Sequence, residues 1–377
     1  MKKGYIKLLS ICVTMIILTA INIIYPKVNQ YVYILFLITT FLITIKLIGY
    51  EKDKSFFEKD ILIVVTIIPL LYTIITYLIG IIPDIGFFKN PYSLTALNIL
   101  KNLSLYAMII IAEELLRYNL VKKGSNNKLI LILITLTFSF MNISFALRGF
   151  DLNVGYDLVI FIFLHAIPLI FRNALLTYLS LKGGYKPCIA YLAVTTLPTY
   201  FMPIFPNLGL YIESINKIFL PFITFLIINK MTKEEHKKIV ITGKTKKTTI
   251  IVLLVLSFTL IGLNSGWFKY QLLVVGSGSM APNLNIGDVI IIKKLPKKEL
   301  EQIKTKDILV FRKGSSIMVH RVKEIKETEN DYEFYTKGDA NDNVDTFVPK
   351  TKDVIGITKL KIPVIGYPVL KLKELID

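Results

Sequence analysis

Gly276-Ser277-Gly278-Ser279-Met280-Ala281-Pro282, with Asn285-Ile286-Gly287-Asp288 close behind, is where the chain changes character. Upstream, long apolar runs follow one another with short Lys-rich gaps. Downstream, short alternating segments are broken by Gly, Pro, Asn and Lys. The stretch reads as a turn that presents a hydroxyl, so Ser279 is a candidate nucleophile that needs a base. His320 is the only histidine downstream of it.

The upstream part sets the fold class. The 377 residues are 53% hydrophobic, more apolar surface than a water-soluble chain of this length requires. On a criterion of roughly twenty apolar residues per membrane crossing, about nine spans are expected. They fall near 5–25, 31–50, 61–82, 94–116, 128–147, 157–181, 187–206, 210–229 and 249–268. The first run lacks a convincing small-residue cleavage site and is read as a span that stays.

The net charge of +18 gathers in loops, which is the signature of membrane orientation rather than of nucleic-acid binding. Lys2 and Lys3 precede the first span. Lys52, Lys54 and Lys59, then Lys122, Lys123 and Lys128, then Lys182 and Lys186, then the run from Lys230 to Lys247 mark every even-numbered connection. The odd-numbered connections hold little beyond Lys27, Lys89 and Arg148. A cytoplasmic N-terminus is therefore expected, with the segment after the ninth span outside. Trp267 and Tyr270 fall where an interfacial aromatic belt would lie.

The predicted layout is a multi-span α-helical membrane domain over 1–230, a basic cytoplasmic loop over 231–248, an anchor span over 249–268, and an extracytoplasmic β-rich domain over 269–377. The basic loop could rest on anionic headgroups. His236 lies in it, on the wrong side of the bilayer to serve Ser279. Cys12 and Cys188 both sit in apolar runs and imply neither a disulfide framework nor a zinc site.

Alternation predicts strands over Val289–Lys293, Asp307–Arg312, Ser316–Lys326, Tyr332–Thr336 and Val354–Ile362, and a helical turn or two over Pro296–Lys304. Met318, His320 and Val322 then share one face of their strand, and Val319 and Arg321 the other. Asp339 and Asp345 follow in Thr336-Lys337-Gly338-Asp339-Ala340-Asn341-Asp342-Asn343-Val344-Asp345. Ser, His and Asp are the parts of a nucleophile, a base and a group that orients the base. The Ser279 backbone N–H and the Ser277 hydroxyl are candidates to hold a developing oxyanion.

Ser277-Gly278-Ser279-Met280-x-Pro282-x-Leu284, Gly287-Asp288, Asp307-Ile308-Leu309-Val310-Phe311, His320-Arg321-Val322 and Thr336-Lys337-Gly338-Asp339-x-Asn341-x-x-x-Asp345 together resemble type I signal peptidases. The common bacterial branch has lysine as base; His320 points to the branch of archaea, the endoplasmic reticulum and some spore-forming bacteria. The resemblance implies a membrane-bound serine endopeptidase that removes signal peptides from exported preproteins after small residues, in the Ala-x-Ala manner. It implies Ser279 as nucleophile, His320 as base, Asp345 as its partner with Asp339 in support, Met280 and Pro282 at the substrate site, and no metal or organic cofactor. Signal peptides, the lipid bilayer and the export translocon are the partners it suggests. Lys306 stands where the family usually has Gly.

Residues 60–230 are similar, more loosely, to the CAAX-protease and bacteriocin-processing family of intramembrane proteases, which carries Glu-Glu-x-x-x-Arg, Phe-x-x-x-His and His-x-x-x-Asn. Here Ala112-Glu113 precede Arg117 at the first motif, Asn142 ends the second, and Tyr191 and Thr195 stand in the third. With those groups replaced, a non-catalytic membrane platform is expected. The rival readings are an active CAAX-type protease resting on Glu113 and Arg117, and a non-enzymatic scaffold that binds signal peptides.

Overall fold

The computed structural model describes residues 2–24, 29–50, 58–82, 85–152, 154–233, 243–265, 268–314, 316–328, 331–367 and 370. The chain divides into two compact units, one of 1–72, 92–201 and 209–253, the other of 73–91, 202–208 and 254–377. Trp267 and His236 lie outside the described residues.

The first unit is helical. It holds α1 (Lys2–Ile24), α2 (Gln30–Ile48), most of α3 (Glu58–Ile79), α4 (Ala96–Gly124), α5 (Lys128–Ala146), α6 (Gly155–Phe161), α7 (Ile167–Gly183), α8 (Tyr185–Thr196), α9 (Gly209–Lys233) and the start of α10 (Gly243–Ser265). A π-turn at Ile162–Ala166, carrying His165, joins α6 to α7, where Pro168 has no N–H to continue the helical ladder.

Leu8, Cys12 and Met15 of α1 pack with Leu116 and Leu120 of α4 and with Ile134, Phe138 and Met141 of α5. Ile61 and Val65 of α3 pack with Leu175, Leu176 and Leu179 of α7 and Tyr191 of α8. Leu35, Leu42, Leu129, Ile132 and Phe163 remain exposed, an apolar exterior of the kind that lipid covers.

Six described helical segments are long and apolar enough to cross a membrane: Gly4–Ile21, Gln30–Ile48, Glu58–Ile79, Lys128–Gly149, Gly155–Gly183 and Ile212–Lys233. The expectation of nine is corrected accordingly, and each shortfall has a physical reason. The 94–116 run lies in α4, which carries Lys101, Glu113, Glu114 and Arg117. The 187–206 run stops being an α-helix at Thr196, passes through a 3₁₀ turn at Leu197–Tyr200 that contains Pro198, and ends in a strand. In the 249–268 run the described apolar stretch is Ile250–Thr259.

Glu113, Glu114 and Arg117 of α4 are buried in a polar centre shared with α5 and α7. Arg117 Nε donates to both oxygens of Glu114 at 3.1 and 3.0 Å, and its Nη2 donates to Asn173 Oδ1 at 2.7 Å. Asn142 Nδ2 donates to Glu113 Oε1 at 2.8 Å, while Asn142 Oδ1 accepts from Arg172 at 2.9 Å and from Asn173 at 3.1 Å. The Arg117 guanidinium also lies 4.0 Å from the centre of the Phe138 ring.

The second unit contains β1 (Phe87–Lys89) paired antiparallel with β2 (Ile204–Pro206), and a six-stranded sheet. The sheet comprises β3 (Tyr270–Val274), β4 (Val289–Lys294), β5 (Ile308–Lys313), β6 (Ser316–Thr328), β7 (Asp331–Lys337) and β8 (Val354–Ile362), ordered β3-β4-β8-β5-β6-β7 and antiparallel throughout. Five strands fall within two residues of their predicted ends, because alternation fixes which residues enter which core. Leu309, Phe311, Met318, Val322 and Phe334 build one core. Val310, Val319, Ile290, Ile292, Leu273 and Met280 build the other, on the opposite face. A 3₁₀ turn at Lys297–Gln302 stands where a helical turn is predicted.

Candidate active site

His320 lies on β6, opposite Leu309 of β5, and is 2% exposed. Period-two alternation puts it on the face of Met318 and Val322, where its ring meets Phe311 edge-on at 6.3 Å between centroids. A bulge between Val322 and Glu324 shifts the register against β7 immediately beyond it.

Ser279 lies on the loop between β3 and β4. Val275 N donates to Asp288 O at 2.8 Å and Gly287 N to Val275 O at 2.9 Å, so the base of this loop is closed by backbone pairing. Inside it, Ala281 N bonds to Gly278 O and Leu284 N to Met280 O. The Asp288 carboxylate accepts from Asn285 N at 2.9 Å and from Val364 N at 3.3 Å. The loop is thereby held as a shaped turn rather than a free excursion.

The segment after β7 presses directly on the nucleophile. Ala340 N donates to Ser279 O at 2.9 Å. A Cβ on Gly338 would come 2.6 Å from Ser279 O and 2.6 Å from Asn341 Nδ2, so this close approach requires glycine.

These contacts bring three of the predicted residues into a line. Ser279 Oγ lies 3.1 Å from His320 Nε2, and Asp345 Oδ2 lies 2.6 Å from Nδ1 on the far side of the ring. With the Nδ1 proton facing the carboxylate, Nε2 is left to accept the hydroxyl proton. Ser277 Oγ lies 3.4 Å from Ser279 Oγ, and among the described residues no group accepts from the Ser279 N–H. Both expected oxyanion donors therefore border the nucleophile.

Asp339 is not in that line. Arg321 Nε donates to its Oδ1 at 2.7 Å, while Arg321 Nη2 and Asn283 Nδ2 donate to its Oδ2 at 2.5 and 2.8 Å. The expectation that Asp339 supports His320 is corrected. Asp339 ties the nucleophile loop, through Asn283, to the strand of His320, through Arg321. That paired hydrogen bond with Arg321 holds the Asp339 carboxyl below the usual aspartate range. Arg321 Nη1 also donates to Lys306 O at 2.8 Å. Lys306 adopts φ 79°, the left-handed region that glycine enters without strain.

Met280 is 1% exposed and packs with Leu273, Leu284 and Ile290 beneath the turn. It lies directly beneath the nucleophile turn. Pro282 is exposed, and the Ala281–Pro282 peptide is cis. Sequence reasoning passed over Asn283, Arg321 and Thr336 as site residues. The alternation of β6 and β7 carries the signal for Thr336, which stands opposite Val322 on the face of His320. Among the described residues no three His, Cys, Asp or Glu side chains lie close enough to share a metal ion.

Residues 246–357 match the family described as Signal peptidase, peptidase S26. The matched segment contains Ser279, His320, Asp339 and Asp345. Signal peptidase I W of Bacillus subtilis (strain 168) is 31% identical over 98 residues, which cover 26% of this chain and 50% of that protein. The signal peptidase complex catalytic subunit SEC11 of Yarrowia lipolytica is 30% identical over 113 residues, covering 27% of this chain and 63% of that protein. The chain thus spans about half to two thirds of the length of these relatives, and the part of it that resembles a type I signal peptidase is the one that holds the Ser279–His320–Asp345 line.

Proposed function

We propose that the protein is a membrane-bound serine endopeptidase that removes signal peptides from exported preproteins, cutting after small side chains. The observation that carries this reading is the Ser279–His320–Asp345 hydrogen-bonded line within a segment matching signal peptidases. In the first step Ser279 Oγ attacks the scissile carbonyl carbon while its proton passes to His320 Nε2. The oxyanion forms between the Ser279 N–H and the Ser277 hydroxyl. The imidazolium, steadied by Asp345, then gives the proton to the leaving amine, and an ester joins the signal peptide to Ser279. A water delivered to the same carbonyl, with its proton again taken by Nε2, releases the peptide and restores the hydroxyl.

The topology belongs to the same proposal. Lysines on alternate connections between the nine apolar runs favour a cytoplasmic N-terminus and an extracytoplasmic peptidase unit, where the cleavage site of an exported chain emerges. The six long helices alone would return the chain to the side of its N-terminus, so this placement requires an odd number of crossings, with the 249–268 run as the last. The helical unit serves as a platform rather than a second protease, whatever its likeness to CAAX-type enzymes. Glu113, Glu114, Asn142, Arg117 and Arg172 are engaged with one another, so neither acid is free to activate a water.

Cleavage of a preprotein by the full chain in detergent provides the test. Ser279→Ala and His320→Ala are each expected to abolish it, and a chelator to leave it intact. Activity surviving in Ser279→Ala but lost in Glu113→Gln would transfer the chemistry to the helical unit. Failure of the native chain to react with a serine-acylating probe would favour a binding scaffold.

A further inference from the structure

We infer that Thr336 is a positioning residue that acts on His320 through Asp345. The inference rests on the Ser279–His320–Asp345 reading and adds a fourth residue to it. Asp345 belongs to no strand, and its neighbours Asn341 to Val344 are exposed. A carboxylate on such a segment would ordinarily sample several rotamers. Thr336 restrains it twice. The Thr336 carbonyl accepts from Asp345 N at 2.9 Å, and Thr336 Oγ1 donates to Asp345 Oδ2 at 2.6 Å. That same oxygen faces His320 Nδ1.

Thr336 suits this work because it does not move. It is fully buried on β7, paired opposite Val322. Branching at Cβ limits its own rotamers. Its hydroxyl is thus a fixed donor on the sheet, reaching a carboxylate on a loop. The hydrogen bond also fixes the carboxylate oxygen that stands opposite the imidazolium formed during the reaction. Threonine cannot take the proton from Ser279 or touch the scissile bond, so its effect is on alignment alone.

The experiment compares the full chain with Thr336→Val, Thr336→Ala, Thr336→Ser, Ser279→Ala and Asp345→Asn on one preprotein in detergent, with rates scaled to folded protein by thermal melts. Thr336→Val and Thr336→Ala are expected to lower kcat by about tenfold, the worth of one hydrogen bond to a charged group, with KM within about twofold. Thr336→Ser is expected to recover most of the loss. Under single-turnover conditions, adding Thr336→Val to Asp345→Asn is expected to cost nothing further, because the two act as a unit. Wild-type kcat in both apolar variants, or full additivity with Asp345→Asn, or no recovery by serine would each overturn the inference. Cleavage by Ser279→Ala would instead overturn the nucleophile assignment itself, whatever Thr336 does.

Discussion

The pairing between Arg321 and Asp339 raises the one proton affinity and lowers the other. Since the folded carboxyl titrates below the unfolded one, its stabilisation is full above the ordinary aspartate range, about pH 4, and is lost as the pH falls through the depressed value. Asp339→Asn is expected to flatten the acid limb of a thermal-midpoint profile below about pH 4. It should also lower cleavage less than Asp345→Asn does, since it loosens the loop without stranding His320. Lys306 invites the opposite change. Removing its Cβ relieves a left-handed conformation, so Lys306→Gly is expected to stabilise the unit by about 0.5–1 kcal/mol, read as a higher thermal midpoint. Ser279 and His320 were legible because a Gly-Ser turn and the only downstream histidine left little choice. The division of labour between Asp339 and Asp345 was not. Both stand on one polar segment, and the side chains that separate them, Arg321 and Thr336, come from strands whose register only the folded sheet sets.

Strands β4 to β8 were readable for a simple reason: period-two alternation sends their apolar residues into a core, into both cores for β5, β6 and β8, as with Leu309 and Val310. Strand β3 was not, because Tyr270 was assigned with Trp267 to an interfacial aromatic belt at the end of the last apolar run. Helix α4 misled the span count differently. The 94–116 run was read as a span, yet Glu114 and Arg117 at its end are fully buried. Breaking such a pair leaves one charge without a partner in a low-dielectric interior. Glu114→Gln or Arg117→Leu alone is expected to destabilise the helical unit by about 3–5 kcal/mol, measured by thermal unfolding in detergent. Glu114→Gln combined with Arg117→Leu should lose less than the two single losses together.

At the scale of the whole chain, orientation is the property most open to test. A cysteine at exposed Lys313, in a background with Cys12 and Cys188 replaced by alanine, is expected to react with a membrane-impermeant maleimide in intact cells. A cysteine at Lys123 should react only after the membrane is opened. The reverse pattern would invert the proposed topology and remove the active site from the side where exported chains appear. The proposed orientation rests on the alternating lysine-rich connections of the nine-run reading. What they could not reveal is that apolar runs differ in fate: one is a buried, charged helix and another breaks into strand.

The strand order has a temporal meaning. β4 and β5 share no ladder hydrogen bonds; β8 lies between them and is the last of the six strands in the sequence. The serine's loop hangs from one end of that arrangement and the aspartate from the other. A chain still emerging from the ribosome therefore owns every chemical group the reaction requires, yet lacks the strand that joins the two halves of the sheet. Such a protease would be born inert and would switch on only when Val354–Ile362 slots into the gap, long after its own apolar helices have entered the bilayer.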